Sequence, residues 1–243
     1  KAADFIASRG PWSGQDRWEE IGGYIPSTLA AQIAGLKAAA ELLSDLSYLR
    51  KAESWTQSLD QWVVAPQGKH GQHYFVRVST NGSAANTETI DIANGGGKIL
   101  SSDLLDGGFL ELVRLGVLDS QDPRILNTLK PYDTDLEITD RGGLYRRYQK
   151  DAYGPKSVGG FWPLLSGERG HYAAAAGDWT KARSQLALMA SCATSSGMIP
   201  EQIVYGTSPA IPDLGQATPL VWSHAEYLSL ARTIADQQVF HSP

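Results

Sequence analysis

The stretch GPWSGQDRWEEIGGYIPST, residues 10–28, sets two adjacent carboxylates, Glu19 and Glu20, among Trp12, Trp18 and Tyr24, with Asp16 and Arg17 just before them. Gly10, Gly14, Gly22 and Gly23 break the stretch, so it reads as a loop. A solvated charge pair has no use for aromatics, and a core segment would not choose two glutamates. A carboxyl held against an indole loses water, which disfavours its charged form and keeps it protonated near neutrality. That is the state a proton donor needs. Cleaving an acetal takes a proton delivered to the leaving oxygen and a second carboxylate for the other face of the sugar, and the two need not be close in sequence. Glu19 and Glu20 are both candidates for the first task. Glu201, in SSGMIPEQIVYGTSPAIPDLG, follows Pro200 near Tyr205 and is the candidate for the second. Taken singly, each glutamate reads better as a surface residue. What argues for chemistry is their placement on aromatic, Gly/Pro-rich loops between helices.

Composition narrows the classes. A chain of 243 residues makes one large domain or two small ones. A net charge of −5 and a pI near 5.5 disfavour nucleic acid, whose phosphates want a basic face. No apolar run reaches the roughly 18 residues of a membrane span. Cys192 is the one cysteine, which rules out an internal disulfide and a cysteine-based zinc cluster. Seven Trp and ten Tyr suit sugar rings, whose C–H faces stack on flat apolar surfaces while their hydroxyls take hydrogen bonds, although core packing accounts for aromatics equally well one at a time. The opening KAADFIASRG reads as a helix stopped by Gly10, with no initiator Met and no signal peptide, so the chain is expected to be a piece of a longer protein.

The elements that must position these residues are mostly helical. STLAAQIAGLKAAAELLSDLS spaces Leu29, Ile33, Leu36, Ala40 and Leu43 on one face, with Ser27 or Thr28 as its cap. SYLRKAESWTQSLDQWVV follows with Leu49, Ala52, Trp55, Leu59 and Trp62. HYFVRVST and ETIDIA read as two short strands joined by the turn-rich NGSAAN. Helical patterns resume in DGGFLELVRLGVL, DPRILNTLKPYDTDLEI, PLLSGERGHYAAAAG, DWTKARSQLALMASCAT and ATPLVWSHAEYLSLARTIADQQ. That makes seven helices and a partial first one. Some junctions are long and aromatic and others short. Such alternation suits a helical toroid with function carried on one rim.

Five segments then resemble, in order, the glucoamylase and glucodextranase family, glycoside hydrolase family 15: GPWSGQDRWEEIGGYIPSTLAAQIAGL, RRYQKDAYG, FWPLLSGERGHYAAAAG, GMIPEQI and ATPLVWSHAEYL. The resemblance covers nearly the whole chain and is closest to bacterial members. It implies an all-α (α/α)6 barrel that removes glucose from non-reducing chain ends with inversion. It implies Glu19 as general acid and Glu201, in PEQ, as general base. It assigns Glu20 to the sugar on the leaving-group side, Trp18 to a wall of the cleft, Asp16 to a polar neighbour of the acid, and Arg147 to substrate hydroxyls. Tyr153 and Trp162 match aromatic positions near the sugar, and Tyr148, Asp151 and Trp222 line or brace the same rim. Inversion needs room for a water, so the two carboxyls are expected about 6.5–9.5 Å apart. A cation should stay clear of Glu19, because it would favour the ionised form of the acid.

Other signals are weaker. Glu168, Arg169 and His171 in SGERGHY read as a helix start with Glu168 in a structural salt bridge. His70, His73, His171, His224 and His241 lack metal-ligand spacing, and ANGGGK lacks the phosphate-loop pattern. Cys192 reads as inert packing in an apolar helix. DTDLEITD lacks the order of a calcium loop. No cofactor is expected, and the family analogy leaves room for a structural calcium.

At about 30 residues per helix and loop, twelve helices need on the order of 360 residues, so this chain supplies about eight of the twelve. It is expected to be the C-terminal part, residues 1–243, of an (α/α)6 catalytic domain with a short β-hairpin insertion, an incomplete ring whose missing N-terminal part carries further sugar-holding groups. The expected partner is an α-1,4 or α-1,6 glucan, with neither nucleic acid nor membrane, and polymeric glucan places the protein outside the cell or in the periplasm. Two alternatives stand beside an exo-glucosidase: a non-catalytic fragment that binds sugar weakly or serves assembly, and a trehalase-like hydrolase.

Overall fold

The computed structural model of the chain describes residues 1–84, 88–138, 143–154, 159–203 and 217–240, and of Ile138 the backbone alone. It divides into two compact units, Lys1–Ile90 with Lys98–Lys130, and Asp91–Gly97 with Pro131–Phe240.

In the first unit α1 (Ala2–Arg9) ends as expected at Gly10, whose amide bonds back to Ile6. α2 (Pro26–Leu43) carries the apolar face read from its periodicity. Leu29, Ile33, Leu36 and Ala40 are buried, each full leucine or isoleucine burial contributing about 1.5–3 kcal/mol, whereas Leu43 is exposed in the last turn. Its cap differs from the expectation: neither Ser27 nor Thr28 caps it. The helix starts at Pro26, whose fixed φ suits the first helical position and whose missing N–H would have had no partner there. The next predicted helix is broken at Ser58 into α3 (Leu46–Gln57), which is capped by Asp45, and α4 (Leu59–Val63). Ala52, Trp55 and Leu59 are buried, and the Trp62 ring lies 5.2 Å from that of Tyr24.

The strands pair differently from the sequence reading. β1 (Val64–Gly68) and β2 (Gly71–Phe75) form one antiparallel hairpin, with Val64 opposite Phe75. β3 (Thr89–Ile92) pairs with β4 (Gly97–Leu100) in another. HYFVRVST and ETIDIA therefore belong to separate hairpins: each is paired by the strand nearest in sequence, across a tighter turn than NGSAAN offers. α5 (Leu110–Arg114) follows, then α6 (Pro123–Asp135), which contains Pro131 and within which the two units divide.

In the second unit β5 (Glu137–Ile138) and β6 (Leu144–Tyr145) pair antiparallel, ahead of α7 (Pro163–Ala175), α8 (Trp179–Ser191) and α9 (Val221–Asp236). α7 is the central helix. It packs against both α8 and α9 and is buried from Pro163 to Ala174. Gly167 and Gly170 explain how a helix can approach so closely. A Cβ there would lie 2.4 Å from Glu226 Cγ and 2.6 Å from Leu230 Cδ2. The SGERGHY signal is accordingly a helix interior rather than a helix start. Arg169 grips Asp133 through Nε and Nη2 at 3.1 and 3.0 Å. His171 is fully buried, with Nδ1 3.1 Å from Thr233 Oγ1 and Nε2 3.4 Å from Glu226. Asp178 caps α8.

At the start of α6, Asp122 accepts hydrogen bonds from the Arg124 amide and Nε, both at 2.9 Å, and from Nη2 at 2.6 Å. Arg124 first of all, against the opposing effect of burial, holds the Asp122 carboxyl below its ordinary pKa. Because the folded-state value is depressed, the stability this gives is present above the ordinary aspartate range and is lost as pH falls through the folded value. Asp122→Ala is expected to lower the unfolding free energy by about 1–2 kcal/mol at neutral pH. The gap to wild type should close on acidification, which urea titrations at the two pH values check.

Candidate active site

In the first unit the acid-bearing stretch is a closed loop. Ser13 and Gly23 exchange backbone hydrogen bonds at 3.0 and 2.9 Å, so the eleven-residue excursion starts and ends at one point. Tyr24 and Ser79 exchange bonds at 2.8 and 3.0 Å, and the Arg77 amide bonds to the Leu104 carbonyl at 2.9 Å. These contacts bring Arg77 and Asp106 to the loop. Asp16 Oδ1 accepts from the Trp18 and Glu20 amides at 3.1 and 3.0 Å. Asp16 Oδ2 takes Arg77 Nη2 at 2.6 Å, and the same nitrogen reaches Glu20 Oε2 at 2.7 Å. Trp18 gives its indole N–H to Asp106 at 2.8 Å and carries the Arg17 guanidinium 4.6 Å from its ring centre.

Glu19 sits at the crest of this turn with φ at +60°, a left-handed conformation that costs a non-glycine residue about 1–3 kcal/mol unless its surroundings fix it. Its side chain is exposed. The desolvation expected of the acid is therefore absent in this chain. The indole meant to provide it is buried, and Arg17 and Asp106 occupy it. Of the two adjacent glutamates, Glu20 is the one drawn inward.

In the second unit backbone bridges lay three segments side by side. The Trp162 amide bonds to the Tyr145 carbonyl at 2.9 Å, and Phe161 and Ile203 exchange bonds at 2.9 and 2.8 Å. Arg147, Trp162 and Glu201 each lie at or within two residues of these bridges. Beneath them, Leu144, Phe161, Cys192 and Ile203 form a buried cluster with Leu188 against it. Cys192 thus packs, as the sequence suggests, and what it packs against is the floor of this site. Arg147 is 3% exposed and doubly bound to Asp151, through Nε at 2.8 Å and Nη2 at 2.7 Å. Its guanidinium carbon lies 4.7 Å from the Tyr153 ring centre, 5.1 Å from Tyr148 and 5.4 Å from Trp162, all within cation–π range. Glu201 is buried at 9% exposure, and its amide bonds to the Ala217 carbonyl at 2.9 Å. Burial first, then the charge of the Glu201 carboxylate and its reach as an acceptor, push the Tyr153 phenol above its ordinary pKa.

The structure thus brings Asp16, Trp18, Glu19 and Glu20 together in one unit, and Arg147, Tyr148, Asp151, Tyr153, Trp162 and Glu201 in the other. Trp222 is half exposed in the first turn of α9. Tyr205 lies outside the described residues, as does the end of DTDLEITD. Sequence reading missed Arg77 and Asp106. Arg77 had a signal: it is a lone cation in the apolar run FVRVS, where burial demands an anion. Among the described residues no group of three or more His, Cys, Asp or Glu side chains is placed to hold a metal ion, and no helix is long and apolar enough to cross a membrane.

The family model for Glycosyl hydrolases family 15 matches residues 1–194. The glucoamylase of Clostridium sp. (strain G0005) is 40% identical over a 260-residue alignment that takes in 99% of this chain and 36% of that protein. Isomaltose glucohydrolase of Kribbella flavida is 34% identical over 142 residues, 55% of this chain and 35% of that protein. The crystal structure of a bacterial glucoamylase complexed with acarbose superimposes with a TM-score of 0.91 at 40% identity, covering 99% of this chain and 38% of that one. The chain spans little more than a third of the length of these relatives, and its fold class is the helical (α/α)6 toroid that the five ordered segments imply. On the family match over residues 1–194 and the likeness to a glucoamylase along nearly its whole length, the chain belongs to Glycosyl hydrolases family 15.

Proposed function

We propose that this chain is the part of an inverting, exo-acting α-glucosidase that carries both catalytic carboxylates. The observation that carries the reading is the likeness to a bacterial glucoamylase over 99% of the chain, at a TM-score of 0.91. In this reading Glu19 delivers a proton to the glycosidic oxygen as the bond breaks through an oxocarbenium-like state. Glu201 removes a proton from the water that attacks the opposite face. Arg147, its fork fixed by Asp151 and its plane framed by three aromatic rings, presents a pre-set donor edge to sugar hydroxyls, and Tyr153 and Trp162 offer flat faces to the ring. Glu20 serves the leaving-group sugar. The reaction needs no cofactor. Exposed Phe5 and Trp12 line a cleft of about 580 Å³ beside Arg9 and Gln32. In the whole enzyme, closure around substrate supplies the desolvation that Glu19 lacks here. A polymeric glucan substrate goes with export from the cell.

Linkage is the second question. The likeness to an isomaltose glucohydrolase favours testing α-1,6 linkages beside α-1,4. The full-length polypeptide should release glucose from maltose or isomaltose, with the β-anomer appearing first by NMR. Release from neither, with the fold intact, removes the reading in favour of a sugar-binding or assembly role, and release from trehalose alone makes the protein trehalase-like. Glu19→Gln and Glu201→Gln should each lower turnover by about 10²-fold or more. Near-normal turnover in either would reassign that role. The influence of Glu201 on Tyr153 has a spectroscopic consequence. Glu201→Gln removes a charge and an acceptor from Tyr153 but not its burial, so the phenol pKa should fall part of the way back to its ordinary value. Titration of ¹³Cζ-labelled tyrosine measures it, and an unmoved value would show that the two side chains do not meet in solution.

A further inference from the structure

One nitrogen of Arg77 bridges two carboxylates of the loop that presents Glu19. Nη2 of Arg77 lies 2.6 Å from Asp16 Oδ2 and 2.7 Å from Glu20 Oε2, and the arginine is 2% exposed. Asp16, so held, uses its other oxygen to bind the amides of Trp18 and Glu20, the residues on either side of Glu19. The Glu19 amide in turn donates to the Asp16 carbonyl at 3.0 Å. Every backbone amide from residue 18 to residue 20 therefore ends on Asp16, and Asp16 ends on Arg77. Between these anchors Glu19 is exposed and left-handed.

We propose that Arg77 is the positioning residue of the proton donor: by clamping Asp16 and Glu20, it fixes the strained turn from which the Glu19 carboxyl is aimed at the glycosidic oxygen. This rests on the reading of Glu19 as general acid. It also accounts for the conformation of Glu19, because a left-handed glutamate persists only where its neighbours over-determine it. The clamp leaves Glu19 as the acidic side chain of the turn that Arg77 does not bind, and so keeps that cation off the acid while using it to hold both neighbours.

The test compares two substrates in the full-length enzyme. In maltose the departing glucose would leave as an alkoxide, so its oxygen needs the proton. The fluoride of α-glucosyl fluoride leaves without it. Arg77→Met should lower kcat on maltose by about 10²-fold, with KM on maltose and kcat on α-glucosyl fluoride each within about threefold of wild type. Arg77→Lys retains one cationic nitrogen able to meet both carboxylates and should recover at least about tenfold of that loss. An equal fall on both substrates, a loss confined to KM, or an unchanged kcat would overturn the assignment. If Arg77→Met does not fold, Asp16→Asn decides. It retains an acceptor for the two amides and removes the charge that Arg77 pairs, so a selective loss of about tenfold on maltose is expected, and no selective loss overturns the proposal. Glu19→Gln run in parallel separates the two claims. If it spares maltose, the general-acid reading itself fails. If it shows the selective loss and the Arg77 variants do not, the positioning role alone fails.

Discussion

A buried guanidinium facing two carboxylates is the constraint on which the acid-bearing loop depends. Taking such charges out of water costs several kcal/mol per ion, and removing one partner strands the rest, a loss of about 3–5 kcal/mol in measured cases. The Arg77–Asp16–Glu20 cluster is therefore committed: once Arg77 is placed by its backbone bond to Leu104, Asp16 and Glu20 must come to it. The glycines at both ends of the loop let the chain turn back, and the Ser13–Gly23 exchange closes it. The conformation of Glu19 is then a consequence rather than a choice, since its flanking amides have already been assigned to Asp16.

The second unit meets the same problem by other means. Arg147 is as buried as Arg77, but its fork is shared between one carboxylate and a frame of three aromatic rings. A planar, weakly hydrated cation tolerates such surroundings where an ammonium would not. The frame is held by backbone bridges rather than by a helix, so side chains from segments distant in sequence meet in fixed register. The bridges in turn rest on a small apolar floor in which Cys192 fills space between Leu144, Phe161 and Ile203.

Much of this was legible in the sequence. Each of the seven helices read from apolar spacing has its counterpart among the described residues, one of them split in two at Ser58, and the Gly10 stop follows from local chemistry. The motif segments placed Arg147, Asp151, Tyr153 and Trp162 together before any coordinate did. What failed did so for identifiable reasons. Strand pairing is a non-local choice, so HYFVRVST and ETIDIA were matched to each other when tighter turns offered each a nearer partner. Pro26 starts the helix one residue ahead of Ser27, so Ile25 takes the cap position and neither Ser27 nor Thr28 can cap it. Arg77 was hidden inside an apolar run, where a periodicity argument counts it as an interruption instead of asking which anion it serves.

The exposure of Glu19 is the point at which fold and function still have to be joined. Two glutamates adjacent in sequence cannot share an environment here, because the turn that buries Glu20 against Arg77 lifts Glu19 out of it. Such a division suits the separate tasks proposed for the two side chains. The proposed donor must also be dry, and neither Trp18, already engaged by Arg17 and Asp106, nor the loop itself shields Glu19. The loop thus supplies aim and leaves desolvation to whatever closes over it. In the proposed reading the loop orients its own side chains, and low dielectric arises where bound substrate shuts out water.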